Sequence, residues 1–374
     1  MQAMMALIVI GLIVSGAQIV SGMQTAVPAV GDPLDLTNLP IGDGKISEEP
    51  QIGTIYSCIT EFNTNAGGAF QDGPWIREDG TFDFTAKAMV DGEIEWPTHQ
   101  FTITVEGDFR RIVGNNLPDH PTGTYPVAAN DAYQYDRNPN QISEQALAYP
   151  LPVNPALADE PSCVGMGAIG VLTTGVVFFN ALDALGRDGV AHEIQDACQG
   201  HPEVSGMYHY HSLTECLPDS DEGHSALMGY VFDGFGFYGV RGEEGEVLTN
   251  ADLDECHGHI HEIEWEGDAV AMYHYHATYE YPYTIGCYRG TPVMGSAAQA
   301  ASGGGQNGQG GNTLPQGQGQ GGSDLAAAAI VLGISEQALR DALGAPPPDF
   351  AAAAATLGIT EQALRDALGV PPGR

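Results

Sequence analysis

The stretch DACQGHPEVSGMYHYHSLTEC (196–216) recurs, with a longer middle, as DECHGHIHEIEWEGDAVAMYHYHATYEYPYTIGC (254–287). Both copies read D-x-C-x-G-H, a gap, M-Y-H-Y-H, a second gap, then Cys. So many positions recurring in one order imply two structurally equivalent hairpins, related by a pseudo-twofold. Tyrosine alternating with histidine is a strand pattern, because residues two apart on a β-strand share a face. His209 and His211 therefore point one way and Tyr208 and Tyr210 the other; His274 and His276 oppose Tyr273 and Tyr275 in the same manner. Two imidazoles at i, i+2 clamp one metal ion, and His201 and His259 each stand ready as a third ligand. The result is two equivalent triads, or one shared four-histidine site if the two strands pair. The tyrosines on the reverse face pack into the core and hold the strands rigid, as a metal site requires.

Imidazole-only ligation suits Cu(II) or Zn(II). A hydrolytic site would add an open zinc position and a carboxylate base, for which Asp196, Asp254 and Asp233 are the candidates. Asp233-Gly234 also reads simply as a tight hairpin turn. His120, in a Pro/Gly-rich loop, and His224, just before the apolar VFDGFGF stretch, are additional site candidates. His257 and His261 flank His259 but face Gln199 and Glu203 in the first copy, so they read as surface or accessory residues; His99 and His192 read as structural or exposed. The alternative to a metal is that the histidines merely stack and hydrogen-bond.

The six cysteines are dispersed and contain no C-x-x-C pair, which fits an exported protein. Symmetry of the repeat selects Cys198–Cys216, Cys256–Cys287 and Cys58–Cys163 from the 15 pairings that six cysteines allow. Thiolate ligation of a metal would conflict with an oxidising compartment.

The chain of 374 residues has 12 basic and 48 acidic side chains, a net charge of −36. That balance argues against nucleic acid and anionic membrane as partners, since both need a basic face. An acidic exterior attracts cations instead, and it also keeps a protein soluble in salt. Residues 1–22 include the uncharged run Ala3–Val20, which reads as an export signal with small residues at Ser15, Gly16 and Ala17, or as an N-terminal anchor. No Lys or Arg precedes Lys45. Residues 23–50 are Pro/Gly/Asp-rich and read as flexible. Residues 51–295 hold every Cys, His, Trp and Tyr. β-branched or aromatic runs at Ile52–Thr60, Thr81–Phe84, Phe101–Val105 and Val171–Phe179 make this region β-dominated, with a helical turn expected over 191–197. Residues 296–323 form a Gly/Gln/Ser linker. In 324–374 the unit DLAAAAIVLGISEQALRDALGAPP (324–347) repeats as DFAAAAATLGITEQALRDALGVPP (349–372), each unit predicting two short helices. The expected fold is thus a mainly β, or β-dominated α+β, central domain stapled by disulfides, with a short all-α repeat tail. That tail is a spacer or a docking module for a surface protein partner.

The segments GMYHYHSLTEC (206–216), HSALMGYVFDGFGFYG (224–239), LDECHGH (253–259) and MYHYHATYEYPYTIGC (272–287) resemble the YHYH-domain proteins, exported proteins defined by this motif. NNLPDHPTGTYP (115–126) and GAIGVLTTGVVFFNALDALG (167–186) extend the resemblance across residues 51–295. It implies a fold and an exported location, secreted or in the cell envelope, and no reaction. The residues themselves point to a binder of Cu or Zn; a metal-dependent hydrolase or oxidase, and a metal-free structural or adhesive module, are the alternatives.

Overall fold

A computed structural model describes residues 34–62, 67–129, 132–220, 222–293, 336–344, 350–357 and 364–365. The protein is mainly β, with few helices. The strands are β1 (Leu39–Pro40), β2 (Ile46–Ser47), β3 (Ile55–Tyr56), β4 (Thr81–Phe82), β5 (Phe101–Glu106), β6 (Phe109–Gly114) and β7 (Leu147–Pro152). They continue with β8 (Ala168–Leu172), β9 (Val177–Phe179), β10 (Gly200–Pro202), β11 (Tyr208–Tyr210), β12 (Leu227–Val231), β13 (Gly236–Tyr238), β14 (Gly258–Trp265) and β15 (Asp268–His276).

An eight-stranded sheet in the order β10-β11-β9-β8-β12-β13-β15-β14 carries both motifs. The antiparallel β8–β12 seam lies at its centre. Outward from the seam, each side presents the same succession: an antiparallel hairpin partner, a parallel strand bearing Y-H-Y-H, and an antiparallel edge strand bearing the motif's leading His. Tyr210 pairs with Phe178 and Tyr275 with Phe237. Those two phenylalanines stack on each other with centroids 4.8 Å apart, both fully buried.

The run Val171–Phe179 is not one strand. Gly175 adopts φ +84° and donates to the Leu172 carbonyl, folding the run into the β8–β9 hairpin. In the other half Gly234 does the same with φ +94° and a bond to the Val231 carbonyl, so Asp233-Gly234 is the β12–β13 turn. Both glycines occupy the left-handed region that a side chain would strain.

Residues 34–50 are built into the domain rather than standing off it as their composition suggested. β1 pairs with β4 and β2 with β3, Leu39 is buried, and the Gly42 N–H donates to Asp188. The polar residues that read as coil are partnered, as Asp43 is with His192. A short helix, α1 (Gly189–His192), begins at Asp188, whose carboxylate accepts from the Val190 and Ala191 N–H groups. The three disulfides are Cys58–Cys163, Cys198–Cys216 and Cys256–Cys287, as expected from the symmetry, and they fit an exported protein.

The export segment and the 296–323 linker lie outside the described residues. Among the described residues no helix is long and apolar enough to cross a membrane. Within 324–374 the described parts are α2 (Glu336–Leu343), closed by Gly344 at φ +63°, and α3 (Phe350–Leu357), with Leu364–Arg365 beyond it; the other positions of the repeat lie outside the described residues.

Candidate metal centres

The leading Asp of each motif holds a turn. Asp196 accepts from the Cys198, Gly200 and Gly123 N–H groups and from the Tyr208 hydroxyl, whose distance to each carboxylate oxygen is 2.9 Å. Asp254 accepts from the Cys256 and Gly258 N–H groups and from the Tyr273 hydroxyl at 3.0 Å. Between Cys and Gly stands a left-handed residue, Gln199 (φ +58°) or His257 (φ +76°). The glycine is required because the tyrosine ring lies across it: a Cβ at Gly200 would sit 2.2 Å from Tyr208 Cζ, and one at Gly258 would sit 2.4 Å from the Tyr273 hydroxyl. The motif thus locks the edge strand onto the Y-H-Y-H strand by its tyrosine face and leaves the histidines on the other.

In the first half, cross-strand pairing sets His201 opposite His209, and His211 follows on the same face. The ligand atoms of all three come within 4.8 Å of one another. His209 Nδ1–H donates to the Met207 carbonyl (3.1 Å) and His211 Nδ1–H to the Asn180 carbonyl (2.5 Å). A carbonyl only accepts, so each Nδ1 carries a proton and each Nε2 is the atom turned towards the cluster. The two Nε2 atoms stand 3.1 Å apart. Ligand nitrogens around a tetrahedral ion with bonds of ~2.0–2.1 Å stand roughly 3.3 Å apart. Phe179 stacks on His209 at 3.9 Å and fixes its ring plane. His201 is 3% exposed, and neither of its ring nitrogens has a hydrogen bond. Burial, reinforced by the neighbouring imidazoles, holds His201 and His209 well below the usual imidazole range. Burial pulls His211 the same way, but Glu193 overturns this and leaves it raised. Glu193 itself is raised by burial.

The second cluster is larger and more open. His259 pairs with His274 across the strands, His276 follows, and His224 and His261 join them. Carbonyl acceptors again hold the Nδ1 protons: Met272 for His274, Gly239 for His276, Ser225 for His224 and Glu262 for His261. His274 Nε2 lies 3.1 Å from His261 Nε2 and 3.3 Å from His224 Nε2, and His224 Nε2 lies 3.2 Å from His276 Nε2. His259 Nε2 has no hydrogen bond. Beside it opens a cavity of about 330 Å³ lined by Glu243, Glu244, Glu246, Leu248 and Asp252. Burial and the surrounding imidazoles lower His259 to about 4; burial lowers His274 to about 2, with smaller contributions from its neighbours.

The two triads remain separate. Strands β9, β8, β12 and β13 lie between β11 and β15, so the shared four-histidine site does not form. His120 stands on the tyrosine side, with Nε2 2.7 Å from the Tyr210 hydroxyl and Nδ1–H donating to the Pro121 carbonyl. Its other neighbours, Cys198 and Cys216, are disulfide-bonded and offer no thiolate. Asp233 is not aimed at the histidines either; it accepts from the Tyr275 hydroxyl (2.5 Å) and the Gly290 N–H. Asp196 and Asp254 are likewise committed to their turns. His257 is buried rather than on the surface, its Nδ1–H directed to the Thr284 and His276 carbonyls. His99 bonds the Leu117 carbonyl, and His192 bridges Asp43 and Asp72. The carboxylate that reaches the first cluster, Glu193, was not among the sequence candidates; it lies just before the first motif in DGVAHEIQD (188–196), where nothing local distinguishes it from its acidic neighbours.

Residues 148–246 match the family described as YHYH protein, a stretch running from β7 through the first motif, His224 and the β12–β13 hairpin. No curated protein and no solved structure matches the chain. The first motif, with its histidines locked onto one sheet face, thus lies inside a stretch that matches the YHYH protein family.

Proposed function

We propose that this exported domain binds transition-metal ions, Cu or Zn, one at each histidine cluster. One observation carries the reading. His201 is buried with both ring nitrogens unpartnered, beside two imidazoles whose Nε2 atoms converge with it. Buried polar groups without partners cost about 1–3 kcal/mol each, and an ion at the centre of the cluster removes that cost. The carbonyl-held Nδ1 protons are the outer-shell support such ligands ordinarily have. Zinc and copper both suit imidazole donors. The acidic exterior favours cation capture.

Metal analysis of untagged protein after incubation with Zn(II) or Cu(II) and gel filtration tests this. About two ions per chain are expected, and the double variant His209→Ala/His274→Ala should lose most of both. Substoichiometric metal in the wild type, or no loss in the double variant, overturns the reading. A metal-dependent hydrolase or oxidase is the second reading, favoured by the cavity beside His259, which would admit a small substrate. Esterase, phosphatase and oxidase assays on the loaded protein decide it, and blank results leave binding alone. The tail at 324–374 would serve as spacer or partner-docking segment.

A further inference from the structure

We infer that Glu193 is a direct ligand of the ion in the first cluster, so that the two halves hold chemically different sites. The first offers three imidazoles and one buried carboxylate, the second imidazoles alone. This rests on the metal-binding reading above.

Glu193 Oε2 lies 3.2 Å from His211 Nε2 and 3.6 Å from His201 Nε2. Its Oε2 is buried and aimed at the imidazole nitrogens, with no backbone or hydroxyl donor to satisfy it. The nearby ammonium of Lys87 donates to the Val190 carbonyl and Gln195 instead. The carboxylate is held in place by α1. The Glu193 N–H donates to the Gly189 carbonyl, and α1 is anchored through Asp188, which also accepts from Gly42 N–H and the Tyr283 hydroxyl. Gly189 leaves the room for this approach: a Cβ there would meet Glu193 Oε2 at 3.2 Å and His211 Cγ at 3.3 Å.

Among the described residues the second half has no carboxylate on the Nε2 side of its cluster; Glu243 meets His261 at Nδ1. The corresponding loop repeats the first in its backbone bonds. Gly186 N–H to Asp183 and Gly189 N–H to Ala181 match Gly245 N–H to Gly242 and Leu248 N–H to Val240. That register sets Asp252 at the place of Glu193. Asp252 accepts from the Thr249 N–H and hydroxyl and lines the open cavity rather than the cluster.

A buried divalent ion with three neutral imidazoles keeps its full double charge. One carboxylate halves it, which matters where little solvent screens it. Three imidazoles and one carboxylate make a donor set that Zn(II) accepts in tetrahedral geometry, while the all-imidazole, more open second cluster suits Zn(II) and Cu(II) alike. Its ligands, reached through the cavity, should also exchange faster.

The test uses the full-length protein, stripped of metal and titrated with Zn(II), for wild type, Glu193→Gln and Glu193→Asp. The wild type is expected to take about two ions, one of them released slowly to chelator. Glu193→Gln should weaken the slow site at least ~100-fold, the upper end of what even outer-shell changes cost, and leave the fast site unaltered. Unchanged zinc affinity at both sites overturns the assignment while leaving metal binding intact; a wild type that binds no ion defeats the metal-binding reading itself. Should Glu193→Gln fail to fold, Co(II) spectra of wild type and Glu193→Asp serve instead. Shifted visible bands support the carboxylate ligand, and identical bands overturn it.

Discussion

The two halves of the sheet are built alike and finished differently. Each has an Asp–Tyr lock, a left-handed residue before the glycine, and histidines with carbonyl-held Nδ1 protons. In the first half the histidines are closed off: His201, His209 and His211 are each 3% exposed, and Glu193 lies against His211. In the second half five histidines gather, and one of them, His259, lines a cavity rimmed by acidic side chains. The strands set the spacing of the imidazoles; the loops that follow β9 and β13 decide what else reaches them and how much water does.

The largest expected effect separates the two locks. Asp196 is 1% exposed and accepts from three backbone N–H groups and a buried tyrosine. Asp196→Ala strands these donors at about 1–3 kcal/mol each, so a loss on the order of 4 kcal/mol or more is expected in denaturant unfolding. Asp254, whose side chain is 30% exposed, should cost about half as much when removed. Equal losses would break the contrast between a closed and an open half.

Next comes stoichiometry. His209→Ala/His211→Ala and His274→Ala/His276→Ala should each remove one ion of two, read by elemental analysis, and EDTA should strip the ion left in the first variant faster than the ion left in the second. Equal stripping rates would mean that the glutamate-rimmed opening gives no access.

A smaller effect is acid sensitivity. His259 and His274 are lowered to about 4 and about 2, chiefly by burial. The unfolded chain takes up their protons first as pH falls below the ordinary imidazole value of ~6.5. Their contribution to metal-free stability is therefore complete above that value and drains away as pH falls towards 4. Thermal melts of stripped protein across that window should decline in the wild type and flatten in His259→Gln/His274→Gln; parallel curves would refute the assignment.

The smallest change is expected at His261, partly exposed and facing Glu243. His261→Ala should alter Cu(II) affinity of the second cluster by less than about tenfold, the low end for a supporting residue. A loss as large as that for His274→Ala would make it a principal ligand.

Much of this was legible in the sequence, for definite reasons. The period-two alternation of Tyr and His determines which face each side chain takes whatever surrounds the strand. The duplicated frame then picks out three disulfides, all of them present. Other features misled because their chemistry is ambiguous until partners are known. Asp196 and Asp254 read as candidate bases for a hydrolytic site, yet Tyr208 and Tyr273 occupy them, whereas the turn reading of Asp233-Gly234 holds. Val171–Phe179 read as one strand because apolar composition outweighed Gly175. Residues 34–50 read as coil because turn-forming residues look alike whether they are solvated or, as here, partnered by the domain.

The sequence by itself determined the two Y-H-Y-H strands, their paired histidines, the tyrosine face and the cysteine partners, because each follows from local periodicity, from the repeat or, for Cys58–Cys163, from elimination. Only the tertiary structure decided that the triads stay apart, that His224 and His261 join the second, and that Glu193 reaches the first. Those outcomes depend on strand order and on loops that carry side chains to one point from positions distant in the chain. Spacing along a sequence does not encode such distances.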